Sequence, residues 1–267
     1  MNRPLQSTLL LWSSSLVLAA WSLSPLTAAA QDAPAAAPAP TIGTGPAPAS
    51  SPSEAAWGYW PGFKAAWEQT HNIFVERAKK GDIEILFLGD SITAGWLKPG
   101  GKEIWDKYYA PLHAEDFGIG GDSTRQVLWR IDHGTLDGIT PKVVVLMIGI
   151  NNMWGDNNKG TNTEIAAGIK TVVEKIEEKL PNTKILLLGM LPCQNSYFCG
   201  RVKATNAMTA KLDGGQVRYF DMFDKFAAED GKKPIAELYI PDGTHLNAAG
   251  YQVWHDTMDP VLTDLLK

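Results

Sequence analysis

The run Val143-Val144-Val145-Leu146-Met147-Ile148 carries no polar side chain at any position. A strand with one face in water alternates apolar and polar residues, so a run that is apolar throughout must be covered on both faces. Its three valines favour an extended backbone over a helix. Such a strand belongs in the middle of a parallel sheet, and parallel neighbours need long crossover connections, usually helices.

The remaining chain supplies both parts. Residues 83–88 and 184–189 read as further strands, 114–118 is a poorer strand candidate, and 217–220 reads as a short edge strand. Between them lie helical patterns. One covers 60–80 behind Pro61, with Phe63, Trp67, Phe74 and Ala78 on a single face, and a short one is marked by Ile104, Trp105 and Tyr108. Val127, Leu128 and Ile131 define another face. Thr161 and Glu164 form a capping box ahead of Ile165, Ile169, Val172, Ile176 and Leu180. Residues 201–212 read as helical, and a last helix starts near Asn247 and is expected to kink or restart at Pro260. Strands alternating with helices, without hairpin turns, predict an α/β fold with a central parallel sheet covered on both faces. In a doubly wound sheet every strand-to-helix turn opens on the same edge. That edge would collect Asp90, Ser91, the glycines at 118–121, Asn151 and the loop 191–199.

The front of the chain is of another kind. Arg3 precedes an apolar core at 9–20 that is too short to span a bilayer, and Ala28-Ala29-Ala30 stands before Gln31. Residues 1–30 are therefore expected to be a secretory signal peptide, cut after Ala30, with an uncleaved anchor as the alternative. Residues 31–53 are Ala, Pro, Ser, Gly and Thr with almost no charge, a composition expected to form a disordered linker. This leaves 54–267 as one domain, secreted or periplasmic, with no integral membrane segment once the signal is removed. The formal charge of −5 is mild and no Lys/Arg block occurs, which argues against a nucleic-acid partner. Cys193 and Cys199 are the two cysteines, and both are read as lying in one loop. In an exported chain they are expected to close as a disulfide, with two reduced thiols as the alternative. No second Cys or His pair accompanies them, so neither a metal nor a cofactor is expected.

Chemistry concentrates in four short blocks. The strand at 83–88 runs into Gly89-Asp90-Ser91, which places a serine at the carboxyl edge of the sheet. Asp90 is expected to hold the turn by accepting backbone N–H bonds. In Pro241-Asp242-Gly243-Thr244-His245, an aspartate three residues before a histidine can orient the imidazole. The free imidazole nitrogen can then take the proton of Ser91, whose hydroxyl is a poor nucleophile without a base. Acyl transfer also needs donors aimed at the developing oxyanion. The backbone N–H groups of Ser91 and Gly121 and the amide of Asn151 would supply three. Gly118-Ile119-Gly120-Gly121 also follows a strand, as a dinucleotide turn does, but the third glycine of that fingerprint would fall at Ser123. His71, His113, His133 and His255 are read as surface or packing residues.

Gly89-Asp90-Ser91-Ile92, Gly120-Gly121-Asp122, Gly149-Ile150-Asn151-Asn152 and Asp242-Gly243-Thr244-His245, in this order, resemble the four blocks of the SGNH (GDSL-type) hydrolases. Phe117 to Arg125 and Val127-Leu128-Trp129-Arg130 also look like the branch that contains the platelet-activating-factor acetylhydrolase catalytic subunits. The resemblance implies a flavodoxin-like three-layer α/β/α fold. It implies Ser91 as nucleophile, His245 as base, Asp242 as its orienting acid, and Gly121 and Asn151 in the oxyanion hole. The third block has Asn152 where many members have Asp.

The expectation is an exported serine esterase that removes acetate from a small ester or an acetylated glycan. Trp96, Trp154, Tyr197 and Phe198 all follow strand ends, and aromatic faces suit sugar rings, so Trp96 and Trp154 are the candidate substrate-binding residues. Ordinary packing under the loops is the alternative for them. A lipid or lysophospholipid acyl hydrolase is the second reading of the whole. A carbohydrate-binding module without turnover is a third.

Overall fold

The computed structural model describes residues 63–153 and 160–267. The expected signal peptide, the linker at 31–53 and Trp154 lie outside the described residues.

The elements alternate as the sequence patterns require. Helix α1 (Phe63–Ala78) leads into strand β1 (Ile85–Gly89), a one-turn helix α2 (Ser91–Ala94) and helix α3 (Lys102–Tyr108). Strand β2 (Ala114–Gly118) precedes α4 (Thr124–Arg130), and β3 (Val143–Met147) precedes α5 (Asn162–Lys179). Then follow β4 (Lys184–Leu188), α6 (Ser196–Thr209), β5 (Val217–Phe220), α7 (Phe223–Phe226) and α8 (Ala248–Leu265). The five strands are all parallel, in the order β2-β1-β3-β4-β5. Every residue of β3, the central strand, and of its neighbour β1 is buried, so both are covered on both faces. Helix α5 packs between α4 and α6, while α8 packs against α3 and α7, which gives the three-layer α/β/α arrangement.

Local chemistry accounts for the boundaries. Thr161 caps α5 in the expected capping box, its hydroxyl accepting from the Glu164 N–H while the Glu164 carboxylate accepts from the Thr161 N–H. Ser123 and Gln126 do the same for α4. Helix α8 runs as one helix through Pro260, where a kink or a restart was expected, so it does not restart there. Proline removes one helical donor, and the apolar face of Trp254, Met258 and Leu262, all buried against the core, holds the helix across that gap. Helix α6 begins at Ser196, five residues before the sequence pattern suggests, because the Asn195 side chain accepts from the Tyr197 and Phe198 N–H groups.

Register decides where the functional turns emerge. Gly89, the last residue of β1, pairs with Gly118 of β2 on one side and Met147 of β3 on the other. The three strands therefore end in one row, and 90–91, 119–122 and 148–151 leave the sheet side by side. The chain crosses to opposite sides of β1 on leaving β2, so this row lies where the strand order reverses, the place an open α/β sheet offers a ligand.

Candidate active site

Ser91 is the first residue of α2, and the turn that holds it is built from Asp90 and Gly89. The Asp90 carboxylate accepts from the Ile92 N–H at 2.9 Å and caps the one-turn helix, as expected. Gly89 has no room for a side chain, since a Cβ there would lie 2.5 Å from the Met147 carbonyl oxygen. Ser91 itself is only half-buried, so its hydroxyl reaches solvent at the sheet edge.

The distant block from the end of the chain closes on it. His245 Nε2 lies 2.7 Å from Ser91 Oγ, and His245 Nδ1 lies 2.6 Å from Asp242 Oδ2. An ionised carboxylate only accepts, so Nδ1 carries the proton and Nε2 is the bare nitrogen that accepts from the serine hydroxyl. The other Asp242 oxygen accepts from the Thr244 and His245 N–H groups at 2.8 and 2.9 Å, which locks the acid to its own turn. Burial raises the pKa of this carboxyl, but the His245 N–H, the imidazole and the Thr244 N–H together outweigh it and hold the group below the ordinary carboxylate range. The arrangement can move a proton from Ser91 to His245 and stabilise the imidazolium that results.

Candidate donors leave the sheet on the same edge. Gly121 has φ +83°, a conformation that glycine adopts at little cost. Its N–H makes no hydrogen bond among the described residues. The Ser91 N–H is in the first turn of α2 and has no carbonyl to bond within the helix. Asn151 donates one amide hydrogen to the Asp122 carbonyl at 2.9 Å, which fixes the amide and leaves its second hydrogen for another acceptor. Asn152 is fully buried and bonds Thr124 in both directions, its Oδ1 accepting from the backbone N–H at 3.1 Å and its Nδ2 donating to the hydroxyl at 2.9 Å.

Beneath the site lies a buried charge network that sequence reasoning missed. Asp122 and Arg130 are both fully buried, with Arg130 Nη2 2.8 Å from Asp122 Oδ2. The guanidinium also donates to the carbonyls of Phe117 (2.8 Å) and Gly89 (3.3 Å), and Trp67 Nε1 donates to Asp122 Oδ1 at 2.6 Å. Removing one partner of such a pair strands a buried charge, at about 3–5 kcal/mol. Burial pushes the Asp122 carboxyl up to about 6 against the pull of Arg130 and the Trp67 donor. Burial also pushes Asp90 up to about 7 against its Ile92 hydrogen bond, and Asp116 up to about 8 against its Gly118 hydrogen bond and Arg130. The one sequence signal was Arg130 itself, three residues after Val127 on an otherwise apolar face. A cation there requires a buried counter-charge.

A cavity of about 610 Å³ opens beside Ser91 and His245, lined by Lys98, Pro99, Ile240, Leu246, Ala248 and Tyr251 among others. A larger one, about 790 Å³, runs between α1 and β2 but contains none of Ser91, His245, Asp242 and Asn151. The chemistry places the site at the smaller cavity. Among the described residues no group of His, Cys, Asp and Glu side chains is arranged to hold a metal ion.

Two expectations are corrected. Trp96 is not a substrate platform: it is fully buried, packed between Tyr109, Tyr251 and Trp254 at centroid distances of 5.2, 4.7 and 5.2 Å. The single 3₁₀ turn at Gly95–Leu97 curls the chain back over the sheet, so the indole points into the core and Leu97 takes the exposed place. Cys193 and Cys199 are separate buried thiols rather than a disulfide. The early start of α6 puts Cys199 inside the helix, where its Sγ faces the Cys193 carbonyl at 3.5 Å. Of the other aromatic candidates, Tyr197 is 58% exposed and packs edge-on to Phe198. The Gln194 N–H donates to the Gly243 carbonyl at 2.8 Å, which ties this loop to the turn of Asp242 and His245.

The chain is similar to known proteins. The profile of the GDSL-like Lipase/Acylhydrolase family matches residues 87–253. The human platelet-activating factor acetylhydrolase IB subunit alpha2 is 35% identical over 189 residues, covering 69% of this chain and 78% of the relative. The human alpha1 subunit is 34% identical over the same length and shares. A solved GDSL-like lipase from Bacteroides thetaiotaomicron superposes with a TM-score of 0.55 at 17% identity, over 75% of this chain and 97% of that one. At that identity the likeness is one of fold.

Proposed function

The chain belongs to the GDSL-like lipase/acylhydrolase family and is an ester hydrolase, and on that premise we propose that it cleaves acetyl esters through an acyl-enzyme at Ser91. The observation that carries the reading is the unbroken contact from Ser91 Oγ through His245 to Asp242, with steps of 2.7 and 2.6 Å. Ser91 Oγ attacks the ester carbonyl carbon while its proton passes to His245 Nε2. The carbonyl oxygen becomes an oxyanion facing the N–H groups of Ser91 and Gly121 and the free amide hydrogen of Asn151. Collapse breaks the bond to the alcohol oxygen, which takes the proton from His245 as it leaves. Water, deprotonated by the same nitrogen, then attacks the acyl-serine and releases the acid.

The imidazole must protonate the leaving oxygen, so the alcohol lies on the side of Nε2. That side is the 610 Å³ cavity, mostly apolar with Lys98 at its edge. An amphipathic alcohol of lipid kind suits it, in keeping with mammalian relatives named as platelet-activating factor acetylhydrolases. The same names support acetate as the acyl group. An O-acetylated carbohydrate is the second reading, favoured by exposed Tyr197 on the loop that is bonded to the catalytic turn. Export belongs to the same proposal and rests on the residue pattern of 1–30.

With chromogenic esters, kcat/KM is expected to fall steeply from acetate through butyrate to octanoate. A preference for octanoate would overturn the acetyl assignment. Acetate release from acetylated glycans, lost in Tyr197→Ala, would decide for the carbohydrate reading over the lipid one. The amide of Asn151 supplies a donor that matters only in the transition state. Asn151→Ala is expected to lower kcat by about 10²–10³ with little change in KM. A raised KM with unchanged kcat would make Asn151 a substrate-binding residue instead.

A further inference from the structure

Two of the proposed oxyanion donors depend on one short segment. Gly121 precedes Asp122 in the chain, and the Asn151 amide is fixed by the Asp122 carbonyl at 2.9 Å. Asp122 is in turn held by side chains from two different helices. From α1, 55 residues earlier, Trp67 donates its indole N–H to Oδ1 at 2.6 Å. From α4, Arg130 lies 2.8 Å from Oδ2 while donating to Gly89 at the end of β1 and Phe117 in β2. One guanidinium thus ties the strand that delivers Ser91, the strand that delivers Gly121 and the residue that orients Asn151. The indole is itself held by its neighbours, with ring centroids 5.7 Å from His71 and 5.3 Å from Trp129.

We propose that Trp67 and Arg130 are positioning residues for ester hydrolysis, acting through the Asp122 carbonyl on the amide of Asn151. The inference rests on the reading of Asn151 as an oxyanion donor. Neither residue touches substrate. Each sets the direction of a donor that is used only when negative charge develops, so the effect belongs to kcat and leaves KM in place. A purely structural role in the core would make losses that add to those of any other substitution.

The test is a double-mutant cycle on the full chain with a chromogenic acetate ester. Trp67→Phe removes the N–H and keeps an aromatic ring against His71 and Trp129. It is expected to lower kcat about 10-fold at constant KM. In the Asn151→Ala background the same change is expected to cost less than about 2-fold, because the amide it orients is gone. Ser91 should still be labelled by a serine-directed phosphonate in Trp67→Phe, which shows the nucleophile and base in place. If that variant does not fold, Arg130→Lys goes through the same cycle, since a lysine keeps the charge but cannot reach both strands and Asp122 together. Equal losses in both backgrounds, or none in the parent, would overturn the positioning role while leaving the oxyanion reading standing. An Asn151→Ala enzyme with unchanged kcat would overturn the oxyanion reading, and the positioning role with it.

Discussion

Ser91→Ala is expected to remove nearly all ester hydrolysis, by about 10⁴–10⁶-fold in kcat, from a protein that remains folded. The size of the loss follows from covalency. Without Oγ no acyl-enzyme forms, and the remaining donors can only assist attack by water. The fold survives because little of it leans on that hydroxyl. Its hydrogen bond is the one to His245, α2 is capped by Asp90 instead, and a single bond of this kind contributes about 1 kcal/mol. Steady-state rates on a chromogenic acetate ester, beside a thermal melt of both proteins, measure the two halves. Full activity in the alanine variant would remove Ser91 from the mechanism.

The orienting acid gives the second large effect. Asp242→Asn is expected to lower kcat by about 10⁴-fold, while His245→Ala behaves like the serine variant. The imidazole Nδ1 has the Asp242 carboxylate as its partner at 2.6 Å. An asparagine can offer Nδ1 an NH₂ donor, which stabilises the tautomer with its proton on Nε2. That tautomer cannot accept from Ser91. Acidification should also slow the enzyme, because a proton on Nε2 blocks the same transfer. Asp242 stays ionised as the pH falls into the usual carboxylate range, held low by the His245 N–H and imidazole against its partial burial. Protonation of Asp242 is therefore not expected to be what opens the acid limb of kcat. A rate flat across the acid range would argue against a histidine base, and an Asp242→Asn enzyme within 10-fold of the parent would show that another group orients the ring.

Much of this was legible in the chain because the decisive signals are local. The all-apolar run at Val143–Met147 announces a central parallel strand, and the glycine after the run at Ile85–Leu88 announces the turn that carries Ser91. Once the sheet is parallel, the blocks at 89–92, 120–122 and 149–152 must leave it on one edge, and register supplies the rest. Side-chain direction beyond a strand end was not legible. Trp96 follows Ser91 closely in sequence, yet one 3₁₀ turn sends it into the core. Cys199 was read as loop because the cap at Asn195 was not recognised as the start of a helix. Pro260 suggested a possible restart because proline weakens an isolated helix, whereas α8 continues, held by what it packs against. The contacts of Trp67 and Arg130 with Asp122 join residues far apart in the chain, and no periodicity reveals such pairs.

The central claim is that Ser91, activated by His245, carries the acyl group. Its most direct measurement is peptide mapping by mass spectrometry after reaction with a serine-directed phosphonate, run beside the residual esterase rate. One adduct on Ser91, rising in step with the loss of activity and absent from His245→Ala over the same time, is the predicted result. An adduct on another residue, or complete labelling of Ser91 with activity intact, would contradict it.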